Sequence, residues 1–175
     1  CKRSCRSRIR SYSRTVNGTT IHIKNSVNVQ VGPAPIIGTS GQDSLDISIN
    51  ELTDHLQTID GLASLDRLEL SDGGMIDLKT SHATANNIEV IDLNNNGSTL
   101  ILDEAAAAAM YDGTGSLSIQ GGPNDSVQLH GDWSSLGHWF GGTGYQKGDT
   151  KIHIKDSLNV TGTVTIDIDG DATAR

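Results

Sequence analysis

Apolar residues along the chain fall in short alternating groups, separated by Gly, Asn and Asp at intervals of about ten positions, a spacing that predicts many short strands. The stretch Ile88 to Leu102 shows this most clearly. Ile88, Val90, Ile91 and Leu93 form one group, and Leu100, Ile101 and Leu102 form the next. Between them lies Asn94-Asn95-Asn96-Gly97-Ser98. Asn and Gly tolerate left-handed backbone, so this reads as strand, chain-reversing turn, strand. Thr20 to Val31 places Ile21, Ile23, Val27, Val29 and Val31 on one parity, with His22, Lys24, Asn28 and Gln30 on the other. It predicts a half-buried strand pair or one long bent strand, with His22 on the exposed side. Further strands are expected around Leu45 to Ile49, Leu68 to Leu70, Ile76 to Leu78, Leu117 to Ile119, Val127 to Leu129 and Val160 to Ile168. Two helical pieces interrupt them. One is expected over Glu51 to Leu62, with Asn50 as N-cap and Leu52, Leu56 and Ile59 as its apolar stripe; the other runs from Ala105 to Met110, capped by Asp103 and aided by Glu104.

An internal repeat accompanies the pattern. Asn17 to Val29 aligns with Gly148 to Val160 at an offset of 131, and eight of the 13 positions are identical, including Ile-His-Ile-Lys. One period of a tandem array would look like this, with the closing strand of one unit preceding the next. The expected organisation is therefore a basic flexible arm at 1–14, a closing strand plus Gly-Pro-rich linker at 15–33, and a β repeat domain at 34–175. The fold class is all-β: a parallel β-solenoid or β-roll-like stack with one or two short helices, with a β-sandwich as the alternative.

Composition narrows the field. The 175 residues include 20 Gly and only 3% aromatics, which suits a thin core of Ile, Leu and Val. Six of the 13 basic residues lie in the first 14 positions, and no acid precedes Asp43, so residues from Thr15 onward carry seven bases against 21 acids. Such a body is a poor match for phosphate, and nucleic acid is not an expected partner. Cys1 and Cys5 are the only cysteines, so the body has no disulfide framework. No apolar run reaches the roughly 20 residues of a spanning helix.

The segments Gly38 to Leu45, Leu68 to Leu70, Ile88 to Leu93, Thr99 to Leu102, Asp103 to Met110, Gly121 to Trp133 and Tyr145 to Val160 occur in the order found in repeat units of very large bacterial adhesins. The chain resembles these RTX-type surface proteins, which are exported by type I secretion. Two features depart from that pattern: the alanine run at 105–109 and the basic, cysteine-bearing arm. The resemblance implies an extracellular or cell-surface location, calcium as a cofactor and a role in attachment, biofilm matrix or filament assembly.

Candidate sites follow. Gly38-Thr39-Ser40-Gly41-Gln42-Asp43-Ser44-Leu45 is similar to the RTX calcium nonapeptide except at Thr39, making Asp43 a candidate calcium ligand, with a strand-opening turn as the alternative. Asp167, Asp169 and Asp171 place three carboxylates at alternate positions, a second candidate for a hard cation. Trp133, Trp139 and Phe140 gather half of the aromatics within eight positions, either as a platform for surface polysaccharide or as a cap on the end of a stack. Ile21, Ile23, Ile152 and Ile154 on the repeated strand are candidate self-assembly residues; His153, like His22, is expected to be exposed beside them. The sequence has neither GxSxG nor HExxH. The leading expectation is a non-enzymatic, secreted or cell-surface structural repeat that partners itself. A carbohydrate-binding or carbohydrate-acting β-solenoid is the alternative.

Overall fold

The computed structural model describes residues 13–16, 19–22, 33–53, 57–80, 84–111 and 115–165. The chain divides into two compact units, Cys1–Gly32 and Pro33–Arg175. In the first unit, β1 (Ser13–Val16) and β2 (Thr19–His22) pair antiparallel as a two-stranded sheet. Most of the expected basic arm, including Cys1 and Cys5, lies outside the described residues, as does Ile23.

The second unit is mostly β, built on a curled mixed sheet. In chain order it runs β3 (Ile36–Ile37), β4 (Ser44–Ile47), α1 (Ile49–Thr53), β5 (Thr58–Asp60), β6 (Arg67–Leu70), β7 (Met75–Asp77), β8 (Thr84–Asn86), β9 (Val90–Asp92), β10 (Thr99–Leu102), α2 (Glu104–Met110), β11 (Leu117–Gln120), β12 (Ser126–Trp139), β13 (Gly142–Lys147), β14 (Thr150–Lys155) and β15 (Asn159–Thr165).

Three parallel ladders organise these strands. The first is β4-β6-β9-β11-β14, with Leu45, Leu68, Ile91, Ile119 and Ile154 in one column. The second is β7-β10-β12-β15, with Ile76, Leu100, Val127 and Val160 aligned. A separate three-stranded sheet, β3-β5-β8, aligns Ile36, Ile59 and Ala85. Along the first ladder the chain returns to the same column after 23, 23, 28 and 35 residues. The sheet is mixed because β12 is long. Its second half turns back through β13, which pairs antiparallel with both β12 and β14.

Alternation puts the apolar side chains of each ladder into one core. Leu68, Leu70, Ile76, Leu100, Leu102, Leu117, Ile119 and Val127 are fully buried there. At about 25 cal/mol per Å² of apolar surface, each such side chain contributes about 1.5–3 kcal/mol toward folding. Trp133 is the one large aromatic fully buried among the described residues, and its indole N–H donates to the His130 carbonyl at 3.1 Å.

Ile88 to Leu102 differs in an instructive way from the expected reversal. β9 and β10 do not pair with each other; they belong to different ladders, and the Asn-Gly-Ser segment is a corner between them. Asn94, Asn95 and Gly97 are left-handed, with φ of 56°, 56° and 76°. The Asn94 and Asn96 amides donate to the Leu70 carbonyl at 3.1 and 2.9 Å. Polar groups of the corner thus bind the equivalent corner 24 to 26 residues earlier, which favours stacking over a hairpin.

The first helix is also shorter and earlier than expected. Ser48 and Glu51 form a capping box: the Ser48 amide donates to Glu51 at 2.9 Å, and the Glu51 amide to the Ser48 hydroxyl at 3.3 Å. Ser48, not Asn50, starts α1, and Ile59 belongs to a strand instead of a helical stripe; Leu56 lies outside the described residues. The second helix forms as expected. Asp103 Oδ1 accepts the Ala106 amide at 2.9 Å, and the small alanines let α2 lie close to β8.

Candidate functional site

The antiparallel hairpin formed by the second half of β12 with β13, and extended by β14, gathers the aromatic and histidine candidates. A Cβ on Gly144 would sit 1.7 Å from Trp139 Cη2, so only glycine lets the Trp139 ring lie across β13. Trp139 then meets His153 with ring centroids 5.5 Å apart, and His153 Nε2 lies 3.0 Å from the Trp139 carbonyl oxygen. Gly142 is equally constrained, since its Cβ would meet the Ile154 carbonyl oxygen at 2.4 Å. At the tip, Lys155 Nζ donates to the Phe140 carbonyl at 3.0 Å, and His138 Nε2 lies 2.7 Å from Asp156 Oδ2. The tip presents Phe140, 88% exposed at a φ of +50°, together with the partly exposed Leu136. Below it, burial raises the Tyr145 hydroxyl above its usual 10.0; a hydrogen bond with Thr143 opposes this and the Asp156 charge adds to it.

These positions correct three expectations. Trp133 cannot belong to an exposed aromatic cluster, because it is fully buried in the core. Trp139 is half-buried against His153, and Phe140 alone offers an open ring. His153 is only 7% exposed, because the hairpin folds over the polar side of β14. Ile152 and Ile154 are each 1% exposed, and β14 is paired on both edges, by β11 and by β13. They form core in this copy of the repeat and do not present a surface. Ile21 lies on β2, opposite Arg14, while Ile23 is outside the described residues.

Asp43 works in a turn. Its carboxylate accepts the Thr39 amide at 2.5 Å and the Thr39 hydroxyl at 3.0 Å, and its own amide donates to Asp66 Oδ1 at 2.8 Å. The Asp66 amide donates in turn to Glu89 Oε2 at 2.7 Å. Asp43, Asp66 and Glu89 therefore form a ladder at 23-residue spacing in which each carboxylate of the later pair holds the backbone of the preceding one. Among the described residues, no three His, Cys, Asp or Glu side chains are grouped to hold a metal ion. Asp167, Asp169 and Asp171 lie outside the described residues.

Among the described residues, the most heavily engaged carboxylate is one the sequence pattern does not single out. Asp125 is fully buried. Its Oδ1 accepts the amides of Gly97 and Ser98 at 2.9 and 2.8 Å, and its Oδ2 accepts Gly122 N–H at 2.9 Å. It joins the Asn-Gly-Ser corner to the next corner in the stack. A different apolar hollow of about 210 Å³ lies between α2 and β8, with Leu52, Leu78, Ala106 and Met110 on its wall. Among the described residues, no helix is long and apolar enough to cross a membrane.

Comparison with protein-family models, with curated proteins and with solved structures gives no match.

Proposed function

We propose that the second unit is a parallel β-solenoid closed at one end by the β12-β13-β14 hairpin. On this reading the chain is a non-enzymatic structural repeat of a secreted or cell-surface protein, of the adhesin kind, and it acts in attachment or self-assembly. The observation that carries this reading is the set of parallel ladders to which the chain returns every 23 to 35 residues. Stacks of this kind have neighbours-only contacts and extend by adding units, which suits spacers and filaments. The 131-residue repeat of the closing strand points the same way. Electron microscopy of the purified chain tests it. Elongated particles or filaments support the reading, and compact globules with no extended species reject it.

A carbohydrate-binding reading rests on Phe140, whose ring is open at the hairpin tip beside half-buried Trp139. A glycan array decides it: specific binding lost on Phe140→Ala or Trp139→Ala supports polysaccharide recognition, and an array without signal removes it. Calcium, the ion implied by the adhesin resemblance, is tested by thermal melts with calcium and with chelator. A calcium-dependent rise lost on joint substitution of Asp167, Asp169 and Asp171 by Asn assigns the ion to that run. Superimposable melts reject it.

A further inference from the structure

The two copies of the repeated strand share a pairing partner as well as a sequence. In the first unit, Ser13, Arg14, Thr15 and Val16 face His22, Ile21, Thr20 and Thr19. In the second, Gly144, Tyr145, Gln146 and Lys147 face His153, Ile152, Lys151 and Thr150. Adding 131 to every position in the first set gives the second, so β1-β2 is the register copy of β13-β14. None of the four residues on β1 is identical to its counterpart on β13, so the likeness of these partner strands is visible only in the pairing.

Their surroundings differ. β14 continues a ladder: Leu117, Ser118 and Ile119 of β11 pair in parallel with Ile152, His153 and Ile154. β1-β2 stands as a two-stranded sheet. An isolated two-stranded hairpin is marginally stable in water and gains stability by adding to a larger sheet. The strand that accepts the repeated Ile-His-Ile sequence is β11.

We propose that β2 is a spare closing strand for a second copy of this chain, pairing in parallel with that copy's β11 in the place held by its own β14. This rests on the self-assembly reading above and names its partner surface. In the exchanged state Ile21 and His22 stand opposite Leu117 and Ser118, as Ile152 and His153 do now. Exchange of a like element between copies is a low-cost route to association. The resident β14 is tethered to its ladder, so its effective concentration, of order mM for short linkers, keeps exchange rare in dilute solution. Loosening β14 reveals it.

The experiment uses the full chain with Cys1→Ser and Cys5→Ser, carrying His22→Cys and Ser118→Cys, with and without Ile152→Asp to loosen the resident strand. Under mild oxidation the proposal predicts interchain disulfide dimers, at least fivefold more abundant with Ile152→Asp. They should also exceed those of an out-of-register pair, His22→Cys with Gln120→Cys, by at least fivefold. A His153→Cys/Ser118→Cys chain reports the resident pairing as an intrachain bond. Near-UV circular dichroism of the Ile152→Asp chain, sensitive to the packing of Trp133, should recover as concentration rises and dimers form. Dimers no more abundant than the out-of-register pair overturn the proposal, as does a bond confined within one chain or an Ile152→Asp chain that stays unfolded at every concentration. Filaments from the His22→Cys/Ser118→Cys chain without the 22–118 bond would reject this exchange and leave the structural-repeat reading standing.

Discussion

Replacing Asp125 by Ala removes the acceptor for three backbone amides at once. Gly97 is exposed, and water replaces the carboxylate there at small cost. Ser98 and Gly122 are buried, so each leaves an unsatisfied N–H, costing about 1–3 kcal/mol. The two together amount to about 2–6 kcal/mol, and the charge-assisted character of the lost bonds moves the sum off the low end. The expected loss is about 3–5 kcal/mol, a large share of the ~5–15 kcal/mol typical of a folded domain. Urea unfolding followed by the fluorescence of buried Trp133 and half-buried Trp139 measures it, and the melting temperature should fall by roughly 6–20 °C. Asp125→Asn keeps one oxygen acceptor and should lose less, about 1–3 kcal/mol. Asn124→Ala, on an exposed neighbour, serves as the control and should stay within about 0.5 kcal/mol of the parent. A loss below about 1 kcal/mol for Asp125→Ala would show that the corners are not joined through this residue.

Gly144→Ala should displace the Trp139 ring and cost about 1–3 kcal/mol. In a Trp139→Ala background the cost should fall below about 1 kcal/mol, and equal costs in the two backgrounds would refute the contact. The raised Tyr145 hydroxyl contributes stability that is fully present below its unfolded value near 10 and lost as pH rises through its higher folded value. Alkaline unfolding of Tyr145→Phe should therefore begin at a higher pH than that of the parent chain, and coincident curves would contradict this. Glu51 is held below its usual 4.5 by the Ser48 amide and then by the Ser48 hydroxyl. Its contribution is present above about pH 4.5 and fades as pH falls through the lower folded value. The destabilisation caused by Glu51→Gln should accordingly shrink in thermal melts between about pH 5 and pH 3; a penalty unchanged over that range would count against the capping box.

The strands and the second helix were legible because alternation and an Asp cap act locally. The ladder partners were harder to see, although a signal was present. Asp43-Ser-Leu-Asp-Ile-Ser, Asp66-Arg-Leu-Glu-Leu-Ser and Glu89-Val-Ile-Asp-Leu-Asn recur at 23-residue spacing and stack directly in the fold. The larger identity at 131 residues obscures this shorter period. Asn-Gly-Ser chemistry announced left-handed backbone correctly, but a corner and a reversal need the same dihedral angles. What separates them is where the amides find acceptors, and Leu70 and Asp125 lie more than 20 positions away. The buried state of Trp133 and His153 depends on the antiparallel return of β13, a tertiary event that parity along one strand does not encode.

The stacked parallel arrangement is tested most directly by backbone nuclear Overhauser effects in an isotope-labelled chain. Ile91 should show cross-strand contacts of parallel type to Leu68 on one side and Ile119 on the other, with no contacts between β9 and β10. Close Hα–Hα contacts between residues 90–92 and 99–102 would instead make Ile88 to Leu102 a hairpin and contradict the account.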